Sequence, residues 1–311
     1  MAVRRRKQRR GRSYAWRYRG RIVACVFVEV LIICALVIMV GWNKGVKEWF
    51  EQFKQPVLKE VDISGINSPN AILMHARGGK VLGEINGDEK IYPASMTKIM
   101  TVILGIENFD DLDEKITLTD EMFAGLYEQD ATQAGFQPGE EVRVIDLLYG
   151  AMLPSGAECC IALADTISGS EADFAELMNK KAAKLGMGNT HFCDSTGLHN
   201  PDHYSTVKDI AVLMKYCIKN DTFREIIETA RHSTGVTNIH PDGITYYSTM
   251  FKNLSDPTVT GGKILGGKTG YTSEAGHCLV SFAEIEGREY IFVSAGASGA
   301  DGNRFRIFRM L

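Results

Sequence analysis

Tyr92-Pro93-Ala94-Ser95-Met96-Thr97-Lys98 opens the first long apolar-periodic segment of the 311-residue chain, residues 96–107. A proline just ahead of a helix presets the backbone for it, and a serine and a lysine three residues apart fall on one helical face. Serine needs a base to become a nucleophile. A buried lysine serves when desolvation and neighbouring positive charge lower its pKa. The helix N-terminus adds free N–H groups for developing negative charge. Taken alone, the same pair also describes an ordinary exposed helix face.

Outward from this segment the apolar spacing stays helical at 96–107, 144–152, 158–167, 171–185, 207–218 and 222–229. Strand-like runs flank it. Residues 71–74 and 81–85 surround the turn Arg77-Gly78-Gly79-Lys80, and residues 278–285 and 290–295 are joined by Glu286-Gly287-Arg288-Glu289. Strands at both ends with helices between predict an α+β fold. In it an antiparallel sheet is flanked by helices beside an adjoining helical subdomain, and a site lies where the two meet.

The N-terminal part has a different character. Residues 1–21 hold ten Lys and Arg and no acid, leaving 25 basic against 38 acidic residues, net −13, in the remainder. Residues 22–42 are apolar apart from Glu29, long enough for a transmembrane helix. The basic block before it sets the orientation under the positive-inside rule. The expectation is a basic cytoplasmic segment (1–21), one N-terminal transmembrane helix (22–42), a juxtamembrane stalk (43–62) and a folded catalytic domain (63–311). Localisation would be the cell membrane, single-pass, with the catalytic domain on the extracytoplasmic side and the membrane itself as a partner. A basic run abutting an apolar span, with no base-stacking platform, argues against nucleic acid as a partner. Of seven cysteines, five lie outside the span without regular spacing, which implies neither a disulfide framework nor a metal site.

Two more segments carry chemistry. Gly266-Gly267-Lys268-Thr269-Gly270-Tyr271-Thr272 reads as a glycine-flanked strand start, where another backbone can approach and a peptide can add as an extra strand. Lys268 suits a substrate carboxylate or biases Lys98 toward its neutral form, and Thr269 can bond the same carboxylate. The letters from Gly262 to Thr269 also fit a phosphate loop, but such a loop must open a helix, and a strand-like run follows here. Leu153-Pro154-Ser155-Gly156-Ala157-Glu158 sets a serine on a turn between two helices, by itself an ordinary N-cap. His199 and His203 stand four apart, but Pro201 between them opposes the helix that zinc-binding pairs use. No metal and no cofactor are expected.

In this order the three motifs resemble the signature of penicillin-binding enzymes and serine β-lactamases. The resemblance is closer to the low-molecular-mass D-alanyl-D-alanine carboxypeptidases, through residues 92–101, His203-Tyr204-Ser205-Thr206 and Gly267 to Thr272. It implies that Ser95 attacks the carbonyl between two terminal D-alanines of a peptidoglycan stem peptide and that Lys98 accepts its proton. Ser155 would relay a proton to the leaving amine, Lys268 and Thr269 would engage the terminal carboxylate, and the N–H groups of Ser95 and Tyr271, beside Gly270, would hold the oxyanion. It also implies β-lactam antibiotics as covalent inhibitors.

The pattern departs from the family in two places. Ala157 stands where the second motif usually ends in asparagine, which makes Glu158 a candidate substitute. Relatives also carry a further β-rich domain and a C-terminal anchor, whereas this chain ends at Leu311 after a stretch, 301–311, expected to begin a helix. Anchoring is therefore expected at the N-terminus. A β-lactamase of the common kind would need a Glu-x-x-x-Asn between Glu158 and Lys268, and none occurs. A D,D-endopeptidase or transpeptidase, or a silent membrane-tethered peptidoglycan binder, remain the alternatives.

Overall fold

The computed structural model of the protein describes residues 28–33, 35–36, 58–254 and 256–298. The chain divides into two compact units, Met1–Leu58 and Lys59–Leu311. In the first, residues 28–33 and 35–36 are helical and exposed. The expectation of a transmembrane helix over 22–42 is corrected here. Among the described residues no helix is long and apolar enough to cross a membrane, and the described helical positions fall well short of the roughly 20 residues a span needs. The single-pass membrane localisation and the membrane as a partner fall with it. The rest of 22–42, the basic segment 1–21, most of the stalk and the 301–311 stretch lie outside the described residues.

In the second unit β1 (Asn70–His75) and β2 (Val81–Ile85) form the opening hairpin, and a 3-10 turn (Ala94–Thr97) leads into α1 (Lys98–Asn108). There follow β3 (Lys115–Thr117), β4 (Glu141–Arg143), α2 (Val144–Met152), α3 (Ala157–Ser168), α4 (Glu171–Leu185), α5 (Val207–Cys217) and α6 (Asp221–Glu228). The chain closes with β5 (Arg231–Ser233), β6 (Thr245–Tyr247), the short α7 (Thr249–Lys252), β7 (Thr258–Val259), β8 (Gly262–Thr272), β9 (Gly276–Ile285) and β10 (Arg288–Ala297).

The main sheet runs β2-β1-β10-β9-β8-β7, every pairing antiparallel. The first and last strands of the domain are thus neighbours, Asn70 opposite Ala295, as the two terminal hairpins predict. The last hairpin is tighter than expected: Glu286 (φ 49°) and Gly287 (φ 71°) alone form the connection. Two successive positive φ values give the two-residue turn whose twist matches the strands, so Arg288 and Glu289 belong to β10.

Helix ends follow side-chain chemistry. The Ser170, Thr206 and Asn220 side chains accept from the backbone N–H three residues on at the starts of α4, α5 and α6. Gly169 and Gly186 close α3 and α4 in the left-handed conformation. Helix α1 is buried almost all round, from Lys98 through Gly105, as a helix apolar on every face should be. It packs against α2, α3 and α5, and α5 lies on β1 and β10. A lysine on so buried a helix needs a polar reason to be there.

Candidate active site

The 3-10 turn before α1 carries the nucleophile candidate. Ala94 has φ 46°, an uncommon conformation for a residue with a side chain, and Met96 N donates to Pro93 O at 3.1 Å. The regular helix therefore begins at Lys98, two residues later than the spacing predicts. From there Lys98 Nζ donates to Ser95 Oγ (3.1 Å) and to the Thr196 carbonyl (2.7 Å). The lysine is 3% exposed, so these two oxygens fix where its nitrogen sits.

Ser155 sits on the turn between α2 and α3 with φ 77°. It does not cap α3; that position falls to Gly156. Its Oγ accepts from Lys268 Nζ at 3.0 Å, and Lys268 also donates to the Thr269 carbonyl at 2.9 Å. Lys268 is 1% exposed. Burial, and after it the nearby Lys98 charge, push it well below the ordinary lysine range. Lys268-Thr269-Gly270 lies within β8 and not at its start, so no phosphate loop forms. Thr269 Oγ1 pairs with Thr249 Oγ1 at 2.7 Å.

At Gly270 a Cβ atom would lie 3.0 Å from the Ser95 nitrogen and 3.2 Å from the Pro93 oxygen. Only glycine lets β8 come this close to the nucleophile turn. Next to it Tyr271 is 61% exposed, its ring 4.6 Å from that of His277. The structure thus joins Ser95 to Lys98 and Lys268 to Ser155, and brings Gly270 against Ser95. Tyr271 stands at the rim.

Glu158 does not take the place of the absent asparagine. Its carboxylate is fully buried and turned toward the loop between β3 and β4, where Oε1 accepts from Ala134 N (2.6 Å) and Gly135 N (2.9 Å). Burial raises its pKa despite these bonds. Ala157 N donates to the Thr132 carbonyl at 2.8 Å, so residues 132–135 are strapped to the turn that carries Ser155.

Sequence reasoning missed the Asp194-Ser195-Thr196-Gly197 turn. Asp194 Oδ1 accepts from Thr196 N (2.8 Å), Thr196 Oγ1 (2.7 Å) and Gly197 N (2.6 Å), and this presents the Thr196 carbonyl to Lys98. An aspartate three residues before a glycine is a turn signal, but nothing in the spacing says which element the turn will meet. Among the described residues no group of three or more His, Cys, Asp and Glu is arranged to hold a metal.

Residues 57–299 match the peptidase S11 model, described as D-alanyl-D-alanine carboxypeptidase. The chain belongs to this family. The D-alanyl-D-alanine carboxypeptidase DacF of Bacillus subtilis is 35% identical over 244 residues, covering 78% of this chain and 60% of DacF. DacC of Escherichia coli is 35% identical over 262 residues, covering 76% of this chain and 58% of DacC. The chain therefore spans about three fifths of the length of these two relatives. The crystal structure of the Streptomyces K15 DD-transpeptidase superposes with a TM-score of 0.71 at 28% identity, covering 80% of this chain and 97% of that one.

Proposed function

We propose that the second unit is the catalytic domain of a serine D-alanyl-D-alanine carboxypeptidase. It would remove the terminal D-alanine from peptidoglycan stem peptides through an acyl-enzyme on Ser95. The observation that carries this reading is the pair of buried lysines, one on each serine: Lys98 on Ser95 and Lys268 on Ser155. Family membership supplies the reaction class.

In this mechanism Lys98 accepts the Ser95 proton while Oγ attacks the carbonyl between the two D-alanines. The tetrahedral oxyanion rests on the N–H groups of Ser95 and Tyr271, where preorganised donors are worth most. The C–N bond then breaks as Ser155 Oγ–H protonates the departing amine, and the proton that Lys98 took from Ser95 replaces the one Ser155 gave up. Lys268 and Thr269 hold the terminal carboxylate. A lysine kept low by burial is well suited to this, because the incoming carboxylate supplies the countercharge that burial denies it. Water then attacks the ester and releases Ser95. β-Lactams, acylating the same serine, would be covalent inhibitors.

A second reading has its own support. Streptomyces K15 relatives of the chain include both a D-alanyl-D-alanine carboxypeptidase and a DD-transpeptidase by name, and the two reactions share the acyl-enzyme, differing in whether water or an amine accepts the acyl group. The test is D-alanine release from a peptide ending in D-Ala-D-Ala by the full chain, with S95A as control. Release that disappears in S95A supports the carboxypeptidase. Release that occurs only with an added amine acceptor supports the transpeptidase, and penicillin labelling without either supports the silent binder.

A further inference from the structure

His203 belongs to a motif that the proposed mechanism leaves without a role, yet it occupies the junction between the nucleophile turn and the turn that holds the base. The ring is 2% exposed. On one side His203 Nδ1 lies 3.0 Å from Asp194 Oδ2; on the other, His203 Nε2 lies 2.9 Å from Thr97 Oγ1. Thr97 is fully buried and sits between Ser95 and Lys98 in the chain. Asp194, through its other oxygen, holds the Thr196-Gly197 turn whose carbonyl receives Lys98.

The protonation pattern along this line follows from its partners. Burial works to raise the Asp194 carboxyl, but His203, then Thr196 and Gly197, outweigh it and hold it at about 2. An ionised Asp194 only accepts, so His203 Nδ1 carries the proton that lies between them. The 3.3 Å approach of Cys193 N to the same nitrogen is the weaker contact. On the far side of the ring Nε2 pairs with the Thr97 hydroxyl.

Backbone packing at the junction leaves little slack. A Cβ on Gly197 would lie 2.0 Å from the Ala94 oxygen, and Gly197 itself has φ 82°, so the two turns meet main chain to main chain. Moving either one moves the Thr196 carbonyl relative to Lys98. A neutral lysine amine has two N–H groups and one lone pair. The carbonyl that takes one N–H decides where the lone pair points, and the lone pair must point at Ser95 for proton transfer.

We infer that the buried Asp194–His203–Thr97 line positions Lys98 for proton transfer from Ser95, by locking the Thr196 carbonyl to the turn that carries the nucleophile. His203 and Asp194 are positioning residues in this scheme, touching neither substrate nor reacting atoms. The inference rests on the acyl-enzyme reading above.

The test is a double-mutant cycle on the full chain, following acylation by a fluorescent penicillin over time. T97V is nearly isosteric and removes the hydroxyl. H203N keeps a polar atom near the position of Nδ1 for Asp194 but no longer reaches Thr97. Each should slow the acylation rate constant about 10-fold at saturating penicillin and leave the half-saturating concentration unchanged. The double variant T97V/H203N should be no slower than either single one, since both break the same bond. The final labelling amplitude counts molecules that reach a competent fold, so an irreversibly misfolded fraction lowers the amplitude and not the rate constant, and a urea unfolding curve for each variant shows that the folded state is fully populated under the assay conditions. Single-variant rate constants within two-fold of wild type, or slowing that multiplies in the double variant, would overturn the inference. Wild-type protein that takes no label would instead overturn the acyl-enzyme reading itself.

Discussion

Lys268 Nζ meets Ser155 Oγ at 3.0 Å across a turn in which Ser155 adopts a positive φ of 77°. The hydroxyl reaches the lysine only because the backbone accepts a conformation that costs a non-glycine residue about 1–2 kcal/mol. S155A and S155G both lose the hydroxyl, but only S155G escapes the backbone cost. S155G is expected to be more stable than S155A by about 1 kcal/mol in urea unfolding. Both should lose D-alanine release by about 100-fold or more.

Lys268 also gives the protein a pH signature. An unfolded lysine keeps its proton up to about pH 10.4, whereas folding pushes Lys268 well below that value. Between the folded and the unfolded pKa the unfolded chain binds more protons, so the contribution of this residue to stability rises with pH. It is complete above the unfolded value and lost as pH falls through the folded one. K268M abolishes the titration. Wild type should therefore gain more stability than K268M between pH 8 and pH 10 in chemical denaturation, and an equal gain would refute this assignment.

Glu158 gives the opposite slope. Burial raises its folded pKa, so its contribution is present below the unfolded carboxylate value and declines as pH rises through the folded one. E158Q keeps an oxygen for the Ala134 and Gly135 N–H groups and removes the charge, so at pH 7 it should be at least as stable as wild type. E158A removes the acceptor of two part-buried hydrogen bonds and leaves a cavity, and should cost about 1–3 kcal/mol. If E158Q were as damaging as E158A, the carboxylate charge and not its acceptor oxygen would be what matters.

At Gly270 the prediction is steric. The Cβ of G270A would lie 3.0 Å from the Ser95 nitrogen, the donor assigned to the oxyanion. Penicillin acylation should fall by about 100-fold, the scale of losing one oxyanion donor, while the thermal midpoint shifts little. Unimpaired acylation would show that β8 can shift away at small cost.

Sequence reading found α1 to α6 to within a residue or two, because caps such as Ser170 and glycine stops such as Gly186 act locally, and it missed the four-residue α7. It also found that Ser95, Lys98, Ser155 and Lys268 belong together, from a pattern of motifs. It missed β3–β4, β5–β6 and β7, whose strands of two or three residues are too short to show a period. It missed the Thr196 carbonyl as well, since a main-chain oxygen leaves no trace in residue identity and its contact with Lys98 spans 98 positions. Glu158 was misread for a related reason: a carboxylate beside the site turned its oxygen toward Ala134, 24 residues back.

Beyond Gly262 and Lys263, which pair with β7, no described strand neighbours β8 on its outer side. Such a border normally invites two copies of a protein to stick together. Here a Cβ at Gly266 would meet the Ile227 carbonyl oxygen, one at Gly267 would meet the Met250 sulfur, and one at Gly270 would meet the Ser95 nitrogen. Along this border the strand's faces are thus covered by its own molecule at three glycines. What the border leaves unpaired is main chain, the place where an extended ligand can add as one more strand.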